Sequence, residues 1–139
     1  MVVDSGTAFT IDVVDAEGIH QGGYIIPGLN LMRSSLESTT SIRLRENYAA
    51  YSEDLGHSTD EAVFNGTVTA LLATIRQQFE ILRLGGAVKT YFAGGDAQLL
   101  HGLAGLDGSE IVSSLVFDGL DVVCPRAATE HPEIEGIQG

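Results

Sequence analysis

A chain of 139 residues, 44% hydrophobic and 19% charged, has the size and balance of one globular domain with a single core. Its 19 Asp and Glu against 7 Lys and Arg give a formal charge of −12, which repels phosphate backbones and anionic lipid and disfavours broad nucleic-acid or membrane binding. No run approaches the roughly 18 apolar residues of a membrane span; Asp4 interrupts the first apolar run, no basic segment marks a signal peptide, and the single Cys124 leaves no internal disulfide, so the expected setting is the cytoplasm.

In chain order, Val2-Val3 begins a strand that ends at Asp4-Ser5-Gly6-Thr7, and Ala8 to Val14 follows with β-branched enrichment and partial alternation. Asp15-Ala16-Glu17-Gly18 has turn chemistry, Ile19 to Ile26 returns as a third strand, and Pro27-Gly28 closes it. Leu29, Leu31, Met32 and Leu36 predict a short helix, and the polar stretch from Ser38 to Leu55 predicts a loop with at most one helical turn. Ser58 and Glu61 have capping-box spacing, with Thr59 at the first helical position. Ala62, Val63, Val68, Leu71, Leu72, Ile75, Phe79 and Leu82 then keep one face of a long helix apolar, and Gly85-Gly86 ends it. Ala87 to Phe92 reads as a strand, Gly94-Gly95-Asp96 as a turn, about Ala97 to Leu103 as a helix, and Ile111 to Phe117 as the last strand. From Pro125 the chain is polar and acidic, so the expectation is a domain over residues 1–124 and a frayed tail over 125–139. Three meandering antiparallel strands followed by alternating helices and strands predict an α/β fold. The expected unit is a mixed sheet of about five strands with helices packed on it, the ribonuclease-H-like arrangement.

Two turns carry residues suited to chemistry. In Asp4-Ser5-Gly6-Thr7-Ala8, the glycine permits close backbone approach and neighbouring N–H groups can form an anion nest. The threonine hydroxyl can bind a phosphate oxygen, and the aspartate can hold a hard cation. An ordinary hairpin can carry the same residues. In Ala93-Gly94-Gly95-Asp96-Ala97, two glycines let a flat adenine or ribose lie against the backbone, while Asp96 either caps the helix or accepts from a ligand hydroxyl. Neither G-x-G-x-x-G nor G-x-x-x-x-G-K-[ST] is present. The glycines of Gly22 to Gly28 point to a bulge or to close packing against a ligand or partner. Thr59, at a helix N-terminus, suits either helix initiation or a bound carboxylate. His20, His57, His101 and His131 lack metal-ligand spacing with one another or with Cys124 and read as surface or loop histidines. Cys124 has no basic neighbour before Arg126, which suits a structural thiol, and no G-x-S-x-G elbow exists.

The order of these pieces is more specific than any one of them. Asp4-x-Gly6-Thr7-Ala8, Gly22-Gly23-x-Ile25-x-Pro27-Gly28, Met32 with Ser35-Leu36, Gly56-x-x-Thr59-x-x-Ala62-x-x-x-Gly66, Gly94-Gly95-Asp96-Ala97 and Leu115-Val116-x-x-Gly119-Leu120 together resemble the type III pantothenate kinases, which include proteins described as Bvg accessory factors. The resemblance runs from the first residues to about Pro125. It implies the actin-like ATPase superfamily, in which two ribonuclease-H-like domains enclose ATP, and it matches the C-terminal one. It further implies that Asp4 holds a monovalent cation (K+ or NH4+), and that Gly6 and Thr7 lie at the ATP phosphates, with Mg2+ as the nucleotide's partner. Gly94, Gly95 and Asp96 would lie near the adenosine, and Thr59 at pantothenate. The Gly22–Gly28 segment and the long helix would help build a homodimer.

The departures from the family pattern matter as much. Neither the family's Asp-x-Gly-Asn-Thr phosphate loop nor its Gly-x-Asp-Arg motif, which carries the general base, occurs in these residues, and Ala93 stands where the family usually has Thr. No catalytic residue is therefore expected here. The reading is the C-terminal portion of a kinase that makes 4'-phosphopantothenate from ATP and pantothenate, inactive as this chain alone. The alternatives are a non-catalytic half-domain that binds nucleotide weakly or dimerises, and a two-chain kinase whose other polypeptide supplies the missing domain.

Overall fold

The computed structural model describes residues 1–45, 51–52 and 54–115. The elements are β1 (Val2–Ser5), β2 (Ala8–Val14), β3 (His20–Pro27), α1 (Leu29–Thr39), α2 (Thr59–Arg83), β4 (Thr90–Ala93), α3 (Ala97–Ala104) and β5 (Ser109–Ile111). They form one five-stranded sheet of order β3-β2-β1-β4-β5. The meander pairs antiparallel, whereas β1–β4 and β4–β5 pair parallel. The predicted mixed α/β sheet, opened by a three-stranded meander, is the observed one.

Period-two alternation decides which side of the sheet is covered. Phe9 and Ile11 of β2 are fully buried while Thr10 and Asp12, which alternate with them, are half-buried. Val3 and Phe92 join them, and this face packs against Leu29 of α1, Val68, Leu71, Leu72 and Ile75 of α2, and Leu100 of α3. The predicted apolar stripe of the long helix is thus the core stripe, except that Ala62 is exposed.

Helix α2 starts at Thr59 because Ser58 Oγ accepts the Glu61 N–H at 3.2 Å. The return bond of the capping box goes one residue further back: Glu61 Oε2 accepts the His57 N–H at 2.7 Å. Asp60 is buried and accepts from both the backbone N–H and Nε of Arg45, which ties the preceding loop to the first turn. Gly85 and Gly86 follow the helix, Gly86 at φ 144°.

Two boundaries differ from expectation. β4 begins at Thr90 rather than Ala87, and the last described strand is Ser109–Ile111 rather than Ile111 to Phe117. A parallel strand can extend only as far as its partner: Thr90, Tyr91 and Phe92 pair with Ser109, Glu110 and Ile111, and the Val112 N–H takes the Phe92 carbonyl at 2.8 Å. Leu115 N–H then bonds back to Val112 O at 3.3 Å, turning the chain. His101 is no free surface histidine, since its ring meets Phe92 edge-on at 5.3 Å and faces the Ser109 carbonyl. Val116 and Phe117 of the expected last strand, Gly119, Leu120, Cys124, His131 and the 125–139 tail lie outside the described residues. Among the described residues, no helix is long and apolar enough to cross a membrane.

Candidate functional site

β1 and β4 run parallel side by side, with Asp4 paired to Ala93 at their carboxyl ends. The turns that leave them therefore emerge together, on the edge of an open α/β sheet where ligands characteristically bind. The Asp96 N–H donates to the Ser5 carbonyl at 3.1 Å and Ser5 Oγ donates to Asp96 Oδ2 at 3.4 Å. Ser5 itself is fully buried, so this pair links the two turns beneath the surface.

Gly94 is required here twice over. Its φ of 90° is disfavoured for residues with a side chain, and a Cβ there would lie 2.4 Å from Ser5 O and 2.5 Å from Asp4 Oδ1. A third loop closes on the first: the Gly28 N–H donates to Thr7 O at 2.9 Å, and a Cβ on Gly28 would lie 2.1 Å from Gly6 O. The Gly6 N–H bonds Ala8 O at 2.9 Å, which tightens the turn itself.

The structure thus brings together Asp4, Gly6, Thr7, Gly94, Gly95 and Asp96. Gly6, Thr7, Gly94 and Gly95 are exposed, and a Cβ on Gly95 would meet open space. Asp4 is half-buried, and neither its carboxylate nor the Thr7 hydroxyl has a hydrogen-bond partner among the described residues. Such an arrangement offers an open backbone floor, a free hydroxyl and an unpaired carboxylate. These are the groups needed to receive an anion and a hard cation together.

Asp96 occupies the cap position of α3 but makes no side-chain cap hydrogen bond; its carboxylate is engaged by Ser5 instead. Thr59 is not part of the cluster: it is exposed at the first position of α2 and makes no hydrogen bond to these loops. The glycines of β3 serve the hairpin. Gly22 has φ 116° beside a register shift at Val13/Val14, and a Cβ on Gly23 would lie 2.1 Å from Ile11 O.

Two residues escaped sequence reasoning. Ser5 resembles any turn serine until its burial is known. Arg33 sits in α1, its Nε donating to Thr67 Oγ1 at 3.1 Å and its guanidinium lying 4.2 Å from the Phe64 ring centroid. Burial lowers the pKa of this guanidinium, and the Asp96 carboxylate opposes that shift through space. Its signal in the sequence was slight: a lone cation, five residues after Gly28, in an acidic chain.

Comparison with known proteins adds to this geometry. A family model for type III pantothenate kinase matches residues 1–80. A Pseudomonas aeruginosa protein named type III pantothenate kinase is 40% identical over 132 residues, spanning 90% of this chain and 52% of the relative. Its namesake in Azotobacter vinelandii is 38% identical over 135 residues, with the same shares. Among solved structures, one from Campylobacter jejuni described as a conserved Baf family transcriptional activator superposes with a TM-score of 0.68 at 28% identity. That superposition covers 88% of this chain and 55% of the other. The chain spans about half the length of the curated relatives it matches.

Proposed function

The chain belongs to the type III pantothenate kinase family, and we propose that it forms the nucleotide- and cation-facing half of a kinase that phosphorylates pantothenate with ATP in coenzyme A synthesis. The observation that carries this reading is the junction of the Asp4–Thr7 and Gly94–Asp96 turns at the carboxyl ends of two adjacent parallel strands. Thr7 and the Gly6 turn would receive phosphate oxygens, while Gly94 and Gly95 leave a flat surface for the adenosine and Asp96 accepts from a hydroxyl there. Asp4, unpaired and half-buried, fits a monovalent cation such as K+ or NH4+, with backbone carbonyls or the ligand completing its shell. Magnesium accompanies the nucleotide, and bound cations neutralise charge that develops on the phosphoryl group. Thr59, at the positive end of the 25-residue α2, suits the carboxylate of pantothenate.

Edge strand β3 supports a homodimer, since Tyr24 and Ile25 stand 50% and 80% exposed on it. The composition and reducing-compartment chemistry of the chain favour the cytoplasm.

None of the 139 residues forms the Gly-x-Asp-Arg motif that supplies the base. Absence of a positioned base alone costs about 10²–10⁴-fold, and the Asp-x-Gly-Asn-Thr phosphate loop does not occur in these residues either. A coupled assay of this chain with pantothenate, MgATP and potassium is therefore expected to read at background. Turnover at the rate of a full-length relative would contradict the assignment of the base to another segment.

A further inference from the structure

Resting on the nucleotide reading above, we propose that Arg33 is a phosphate-binding residue of this site, reaching the nucleotide's phosphate chain from α1. The chain is strongly acidic, and the loop cluster itself carries Asp4 and Asp96, so a bound polyanion requires a local cation. The other described arginines are engaged elsewhere. Arg43 lies on the carbonyls of Glu37, Thr40 and Ile42, and Arg45 pairs with Asp60. Arg76 bonds the Leu103 and Ala104 carbonyls, and Arg83 pairs with Glu80. Lys89 stands before the start of β4, at the opposite end from the loops.

Arg33 differs from all of these. Its Nε is held by Thr67 and its plane by Phe64, while its two terminal nitrogens donate to no protein group among the described residues. A guanidinium fixed at its base, with its fork free, is pre-organised for an oxyanion and loses little side-chain entropy on binding one. The helix that carries Arg33 begins at its cap Gly28, whose N–H donates to the Thr7 carbonyl at 2.9 Å, so α1 leaves directly from the phosphate turn. The Asp96 carboxylate, anchored by Ser5, bears on Arg33 through space without forming an ion pair with it. A ligand with an anionic group and a hydroxyl would satisfy both side chains. The Arg33–Thr67 bond also joins α1 to α2, so the phosphate end of the site is tied to the helix that begins at Thr59.

The test is equilibrium titration of the chain and its R33M, R33K and T67V variants with MgATP, inorganic pyrophosphate, adenosine and pantothenate, alongside thermal melts. R33M is expected to weaken ATP and pyrophosphate about tenfold or more while leaving adenosine within about twofold, the loss expected for one charge-assisted contact. R33K, which keeps the charge but not the fork, should recover part of that loss and keep the fold if R33M does not. T67V should weaken ATP about threefold by releasing the guanidinium from its mount. Wild-type ATP affinity in a folded R33M or R33K overturns the proposal, as does a loss confined to pantothenate, which would assign the anion to a carboxylate. If the unmodified chain binds neither ATP nor pyrophosphate, the nucleotide reading falls as well.

Discussion

Gly94→Ala is expected to destabilise the chain by about 3 kcal/mol or more, enough to unfold a marginal domain. Two costs combine. Holding alanine at φ 90° is unfavourable by roughly 1–3 kcal/mol. The new methyl group would also sit 2.4 Å from the Ser5 carbonyl and 2.5 Å from Asp4 Oδ1. The aspartate side chain can swing away, but the Ser5 carbonyl accepts the Asp96 N–H and belongs to the strand paired with β4. Moving it breaks the junction between the two turns. Gly95→Ala is the control, because its Cβ meets nothing within 4 Å and its φ is outside the left-handed region; it should change stability by less than about 1 kcal/mol. Urea denaturation of both variants, read by circular dichroism, measures the difference. Equal midpoints would show that the junction tolerates a side chain.

Gly28→Ala should cost nearly as much, about 2–3 kcal/mol, for a different reason. Its φ of −71° is available to any residue, so the conformation carries no penalty. The clash is with backbone alone: the methyl group would lie 2.1 Å from Gly6 O and 2.8 Å from Thr7 O. Relief requires the β1–β2 turn to lift away from the start of α1, and the Gly28 N–H to Thr7 O bond to stretch. Because that motion displaces Thr7, nucleotide affinity should fall together with stability. Chemical denaturation and ATP titration of the same variant check both effects, and a variant with the stability and affinity of the parent would show that the turn and the helix are not interlocked.

Local patterning made most of the architecture legible. Alternation in Ala8 to Val14, turn chemistry at Asp15–Gly18 and the Ser58–Glu61 spacing each depend on neighbours within a few residues, and each led to the observed element. The end of the sheet was not legible in the same way. Ile111 to Phe117 has the composition of a strand, but the length of β5 is set by the four residues of β4, more than fifteen positions away.

The site divides along the same line. Gly6, Thr7, Gly94 and Gly95 stand out because they sit in turns that follow strands, where glycine lets backbone approach a ligand and a hydroxyl can meet a phosphate oxygen. Ser5 and Arg33 depend on tertiary placement: one is buried between two strands, the other is held by Phe64 and Thr67, more than thirty residues later. Asp96 shows the same limit, since its position suggests a helix cap and its partner is Ser5.

The most direct measurement is an amide nitrogen–proton correlation spectrum of the isotopically labelled chain, titrated with MgATP in potassium buffer. Saturable shifts centred on Gly6, Thr7, Gly94, Gly95 and Asp96 are the expected result. A well-dispersed spectrum in which those amides stay fixed at saturating ATP, or in which the shifts gather on another face, would contradict a nucleotide site at the carboxyl ends of β1 and β4.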